Sequence, residues 1–213
     1  MGPPKPLHVA GNGLLNGPMM TAEIAKIIWF AGIVVWVAIR YPYQRRSRRM
    51  GVARATGGRL DQIALAIAAA GQFVLPLFYV ATGQPAFADY ALHPLQGWIG
   101  LLALAGALVM FRVTHKQLGR NWSVTLETRK EHVLVTSGLY AYVRHPMYSS
   151  FLLFAVAQLL LLPNWIAGPA GLAGLATLFF LRVDREEKLM VETFGEQYAA
   201  YMRKTARVIP WLY

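Results

Sequence analysis

The apolar residues of this chain gather into blocks about as long as a bilayer core is thick. That limits the fold to one that satisfies its backbone hydrogen bonds inside lipid. Five blocks can be drawn, at 24–39, 63–81, 95–111, 148–162 and 165–181. A helix needs ~20 residues to cross hydrocarbon, and only helices and closed barrels can do so without stranding backbone polar groups. Of the 213 residues, 56% are hydrophobic and 15% charged, against about 25% charged in an ordinary soluble domain. The expected fold is all-α, a polytopic membrane protein with about five transmembrane helices.

The basic residues sort the connections. The 40–59 loop carries seven Lys and Arg and no acid, 112–146 carries six, and the stretch from Arg182 onward another six. The 83–94 loop has none, so nineteen of twenty-one basic residues fall on one side. The positive-inside rule makes that side cytosolic. Five spans then put the N-terminus outside and the C-terminus in the cytosol. The run from Arg40 to Arg59 resembles a nucleic-acid patch in composition, but its place between two apolar blocks makes topology the better account, and no nucleic-acid partner is expected.

Several local features refine the picture. Residues 1–22 read as a flexible Gly/Pro-rich lead without the charged start and compact apolar core of a signal peptide. Residues 23–113 hold three spans, with Trp29 and Trp36 as expected interface anchors and Pro76 as an expected kink. Residues 114–213 hold a polar loop, a two-span hairpin turning at Pro163-Asn164, and an expected amphipathic helix over 183–204. In that helix Leu189, Phe194, Tyr198 and Tyr201 recur at helical spacing.

Zero cysteines exclude a disulfide framework, a thiolate metal site and a cysteine nucleophile. His115, His132 and His145 fit no zinc spacing, so no metal is expected. Gly11-Asn12-Gly13 lacks both the preceding strand and the third glycine of a dinucleotide loop. No P-loop or serine nucleophile elbow is present.

Two polar clusters remain. Tyr140, Tyr142, Arg144, His145 and Tyr148 crowd into nine residues just before the fourth apolar block. Pro146 turns His145 away from helical geometry and suits the first turn of the span. Taken alone, this is an ordinary cytosolic anchor with a snorkelling Arg and an aromatic belt. Glu186 and Glu187 follow the fifth block, where topology favours Lys and Arg. They either pair locally with Arg182, Arg185 and Lys188 or accept hydrogen bonds from a ligand.

In order and spacing, these residues resemble the isoprenylcysteine carboxyl methyltransferase family, within the broader group of membrane methyltransferases that includes phospholipid N-methyltransferases. The matching pattern runs from His132 through Gly138 and Tyr140 to Arg144-His145-Pro146-Met-Tyr148. It continues through Glu186-Glu187, Phe194-Gly195-Glu196-Gln-Tyr198 and Tyr201 to Pro210. It covers roughly residues 115–210. Ser150 stands where the family often has glycine, and the basic residue near the acceptor is Arg203, Lys204 or Arg207.

The resemblance implies S-adenosyl-L-methionine as cofactor, held on the cytosolic side. His132, Leu134, Val135, Gly138, Leu139 and Tyr140 would wrap its adenosyl part. His145, Pro146 and Tyr148 would lie at its sulfonium end, and Glu186 or Glu187 at a polar end. Arg144, His145, Tyr148 and Glu187 are the expected catalytic residues. Arg144, Tyr201, Arg203 and Lys204 are the expected substrate contacts. The implied acceptor is a lipophilic or prenylated acid arriving from the membrane lipids.

Transfer of a sulfonium methyl to a carboxylate removes two opposite charges, so a dry site that aligns the reactants favours it. A carboxylate acceptor needs orientation by donors such as Arg and no base. A phospholipid amine must first lose a proton, and His145 or a glutamate is available for that. Two further readings stay open: an NADPH-dependent membrane reductase and a non-enzymatic membrane protein. The richness in Arg, Ala and Gly suggests a bacterial chain and an inner-membrane location.

Overall fold

The computed structural model describes residues 20–47, 58–119 and 133–210, and the backbone alone at 52–55 and 127–129. Helices occupy all five expected positions. They are α1 (Ala22–Ser47), α2 (Arg59–Ala69) continued through a π turn (Ala70–Val74) into α3 (Leu75–Thr82), α4 (Pro94–Leu118), α5 (Pro146–Leu161) and α6 (Ala167–Phe194). A short α7 (Glu196–Met202) follows. By length and composition α1, the 59–82 unit and α4 are suited to crossing a membrane, while α5 has 16 residues.

The expected kink at Pro76 takes a specific form. Proline lacks the N–H that would continue the helical ladder, and the π turn lies just before it. The Gly71 carbonyl there accepts from Gln158 Nε2 of α5 at 3.1 Å. Gly71 also meets α6 so closely that a Cβ would strike the Ala170 carbonyl, which makes glycine the residue that fits.

α4 packs along α5, α5 against α6, α6 against α2 and the π turn, and α1 against α4. The main core holds Trp29, Ile33, Tyr79, Leu104, Phe154 and Leu161. Large apolar side chains such as Ile27, Val34, Phe78, Leu102 and Phe180 remain exposed on the outside of the bundle, as lipid contact requires. Trp29 and Trp36, expected as interface anchors, pack against protein. Trp29 is fully buried, and Trp36 stacks on Phe111 with centroids 5.1 Å apart.

The connections segregate to two ends. At one, Asn164 of the α5–α6 turn donates to the Pro85 carbonyl at 2.9 Å and to Asp89 at 2.8 Å. Its Oδ1 accepts from the Ile166 and Ala167 amides and so caps the start of α6. At the other end, β1 (Val52–Ala55) pairs antiparallel with β2 (Glu127–Arg129). This ribbon departs from the purely helical expectation, and it ties the first basic loop to the loop that follows α4.

The expected helix over 183–204 is not a separate element. α6 runs unbroken from the apolar hairpin to Phe194, and the chain turns only at Gly195, with φ 56°. Of the earlier expectations, residues 1–19 of the lead and His132 lie outside the described residues.

Candidate functional site

The chain after β2 enters a single helical turn (Gly138–Ala141) and reaches α5 through an extended segment. Gly138 has φ 66°, and a side chain there would collide with the Gln117 amide. The same Gln117 accepts from the Leu139 amide at 3.2 Å. Gly138 and Leu139 therefore shape the turn and are not among the cavity-lining residues.

The C-terminal segment runs back alongside this loop. The Arg144 amide donates to the Ala206 carbonyl and the His145 amide to the Arg207 carbonyl, both at 2.9 Å. The Ser149 hydroxyl donates to the Val208 carbonyl at 2.6 Å. Tyr201 Oη donates to the Tyr140 carbonyl at 2.6 Å. The two polar clusters, remote in sequence, thus form one structure.

Glu187 is its electrostatic centre. Oε1 accepts from Arg144 Nε at 2.5 Å and lies 3.1 Å from His145 Nε2, while Oε2 accepts from Arg207 Nη2 at 2.9 Å. Burial alone would raise the pKa of this carboxyl. The hydrogen bonds and charges of His145 and Arg144 outweigh it and hold the group at about 2. Arg144 Nη1 also donates to the Thr205 carbonyl. Nη2 is the Arg144 nitrogen without a partner among the described residues.

A cavity of about 420 Å³ opens beside this centre. One wall carries Leu134, Val135, Tyr140, Arg144, His145 and Tyr148, with Arg182, Glu186, Leu189, Tyr198 and Tyr201 from α6 and α7. Glu187 and Pro146 stand behind that lining. Glu187 acts by fixing Arg144 and His145, so the adjacent Glu186 is the carboxylate at the cavity. Tyr148 Oη donates to Glu186 Oε2 at 3.0 Å, and its ring meets Phe179 edge-on at 5.3 Å. Burial raises Tyr140 and Tyr198 well above the usual phenol range and Tyr201 to about 12. These phenols stay neutral at physiological pH.

Arg203 and Lys204 do not reach the cavity. Arg203 pairs with Glu196 at 2.6 Å on the exposed surface, because α7 ends at Met202 and turns both side chains outward from the site. Arg207 is not among the cavity-lining residues either; it bridges Glu187 and Asp184 at 2.9 and 2.8 Å. His115 is a packing residue: its Nδ1 is 2.9 Å from the Phe111 carbonyl and its ring meets Phe111 edge-on.

Sequence reasoning missed the other wall. Trp36 and Arg40 of α1, Leu65 and Ala68 of α2, and Gln72 and Phe73 of the π turn all line the cavity. It also missed Asp61, 1% exposed on α2, whose Oδ1 lies 3.6 Å from Arg182 Nε; Arg182 in turn lies 3.9 Å from Glu186. An acid in an apolar helix is costly unless paired, and that cost was the available signal for Asp61.

The donor set suits the cofactor that the resemblance implies. Leu134, Val135 and Leu189 offer an apolar bed for a base, and Glu186 offers an acceptor for hydroxyls or an ammonium. Neutral aromatic rings offer negative faces to a cation.

Residues 98–192 match the model of the isoprenylcysteine carboxyl methyltransferase (ICMT) family. Over 96 residues the chain is 38% identical to the protein-S-isoprenylcysteine O-methyltransferase of Schizosaccharomyces pombe, covering 44% of this chain and 41% of that one. It is 29% identical over 122 residues to the enzyme of that name from Dictyostelium discoideum, covering 54% and 50%. A probable protein-S-isoprenylcysteine O-methyltransferase of Oryza sativa subsp. indica is 26% identical over 167 residues, covering 76% and 87%. The chain spans about half the length or less of the first two relatives. The solved structure of the eukaryotic intramembrane Ras methyltransferase ICMT shares the fold, with a TM-score of 0.53, 22% identity, and coverage of 93% of this chain and 70% of that one.

Proposed function

We propose that this protein is an integral-membrane methyltransferase that uses S-adenosyl-L-methionine to esterify the carboxylate of an isoprenylcysteine-like or other lipophilic acid. The observation that carries this reading is the Glu187 centre: Arg144 is anchored at Nε and Nη1, with Nη2 left for a ligand, on the wall of a largely apolar cavity. When bound, the cofactor supplies an electrophilic methyl group on a sulfonium.

The chain's own residues do the rest. Arg144 binds and orients the acceptor carboxylate through one nitrogen, which leaves much of the anion's charge available for attack. Leu134, Val135 and the aromatic rings exclude water, which strengthens every charge interaction inside. Glu186 and Tyr140 hold the donor's polar groups, and Tyr148 keeps Glu186 in position. His145 is fixed by Glu187 and packs edge-on against Tyr148, with centroids 5.7 Å apart.

The same geometry favours a carboxylate over an amine. Amine methylation needs a base, and Glu187, held at about 2 by its cationic neighbours, is a poor one. Tyr148 occupies one oxygen of Glu186. A carboxylate requires no proton removal. The basic end of the molecule, where the cavity lies, is placed at the cytosolic face by the positive-inside rule, with the N-terminus outside.

The deciding test is transfer of tritiated methyl by detergent-purified protein. N-acetyl-S-farnesylcysteine, a fatty acid and an ethanolamine phospholipid serve as alternative acceptors. Label that alkali releases as volatile methanol identifies an ester. Label that resists alkali, on the phospholipid alone, would replace this reading with amine methylation.

A further inference from the structure

The cavity wall built by α1, α2 and the π turn lies outside residues 98–192, the part matched to the family. It is mainly aromatic and aliphatic, with Trp36, Leu65, Ala68 and Phe73. Gln72 breaks that character. It is 8% exposed, lines the cavity, and its Nε2 has no hydrogen-bond partner among the described residues. Buried amide donors are rarely left unmet, because their desolvation is then uncompensated.

The backbone there is specialised as well. In an ordinary helix residue 76 would donate to residue 72, and in a π turn to residue 71. Pro76 can do neither, and Gln158 reaches across from α5 to satisfy the Gly71 carbonyl. The π turn is thus locked to α5 through Gln158 and to α6 through Gly71. Gln72 sits on a rigid platform, and π turns of this kind recur at functional sites.

We propose that Gln72 contacts the acceptor and determines its specificity: the side-chain amide donates to a carboxylate or carbonyl oxygen in the polar head of the lipophilic substrate. This rests on the carboxyl-methylation reading above. The residues suited to the cofactor come from other parts of the lining, the 133–148 segment, α6 and α7. The α1–π-turn wall suits a molecule that is mostly hydrocarbon with one acidic end. Arg40, whose guanidinium stands 4.9 Å over the Trp36 ring, adds positive charge to the same wall.

The test uses the full chain in detergent, with Gln72→Leu and Gln72→Glu variants and N-acetyl-S-farnesylcysteine as acceptor. Cofactor-site integrity is read from thermal stabilisation by S-adenosylhomocysteine. Loss of one hydrogen bond is expected to raise the acceptor KM about tenfold in Gln72→Leu with kcat nearly unchanged. Gln72→Glu, which sets carboxylate against carboxylate, should raise it further. Stabilisation by S-adenosylhomocysteine should match wild type in both variants. An acceptor KM within twofold of wild type in both overturns the inference, as does a loss of S-adenosylhomocysteine binding that tracks the KM.

If neither variant folds, a farnesylcysteine analogue with a photoreactive diazirine at its head group is applied to the wild type. Labelling within 65–73 supports the assignment, and labelling confined to other segments overturns it. Absence of wild-type turnover with the farnesylcysteine acceptor overturns the acceptor reading itself and this inference with it. Turnover with an indifferent Gln72 overturns the inference alone.

Discussion

Arg144 Nε and Glu187 Oε1 lie 2.5 Å apart although 43 residues separate them, and their side chains are only 10% and 4% exposed. A pair so enclosed is strongly asymmetric in its energetics. Intact, it contributes little net stability, but loss of one partner leaves an uncompensated buried charge. It therefore couples the integrity of the site to the integrity of the fold.

Glu187→Ala should abolish methyl transfer and also lower stability, by about 3 kcal/mol on the scale of broken buried ion pairs. Arg144 and His145 would lose the anion that fixes them. Turnover together with thermal melting checks this. Full activity with an unchanged melting temperature would contradict it.

The same carboxylate sets an acid limit. Its pKa falls from 4.5 unfolded to about 2 folded, so the unfolded chain binds the proton more readily. The stabilisation is complete above about pH 5 and is lost as pH falls through 4.5 toward 2. Melting temperature followed from pH 6 to pH 3 should drop more steeply for wild type than for Glu187→Gln.

Tyr148→Phe should be milder than His145→Ala. The first removes one hydrogen bond to Glu186, about 1 kcal/mol or up to roughly tenfold in rate, and keeps the ring against Phe179. The second removes a buried ring bound to Glu187 and packed on Tyr148. Equal, total loss in kcat/KM for both variants would reverse this ranking.

Among the C-terminal cations, Arg207→Ala should reduce kcat/KM at least tenfold, because Arg207 holds the second oxygen of Glu187. Arg203→Ala should stay within twofold of wild type, since its partner is the exposed Glu196. Side-by-side rates distinguish the two.

S-adenosylhomocysteine should raise the melting temperature and inhibit turnover, while NADPH should do neither. Stabilisation by NADPH alone would favour the reductase reading.

The helices were legible because apolar runs near 20 residues leave few alternatives, and all five fell where the blocks predicted. The meeting of the 140–148 and 184–187 clusters was legible from topology, since both flank apolar blocks on the basic side. Finer assignments failed where three-dimensional neighbours decide. Trp29 and Trp36 look like interface residues at span ends, but Trp29 is buried in the core and Trp36 packs against Phe73 and Phe111. Glu186 and Glu187 are adjacent in sequence, yet a rotation of about 100° per residue along the helix sends one to the cavity and the other behind it. The resemblance leaves Arg203, Lys204 and Arg207 as alternatives, and only the turn after α7 shows that the first two face outward. Gln72 carries no motif and Asp61 only the signal of an acid in an apolar helix; assembly of α2 and the π turn against α6 sets Asp61 beside Arg182 and Gln72 at the cavity.

The two walls of the cavity come from stretches of chain with separate histories open to them. Substitutions in the first three helices can reshape that side of the cavity while every residue from Arg144 to Tyr148 stays in place. A lineage could in this way acquire a new methyl-accepting molecule without rebuilding its donor pocket, and an engineer could follow the same route by randomising positions 36, 65, 68, 72 and 73.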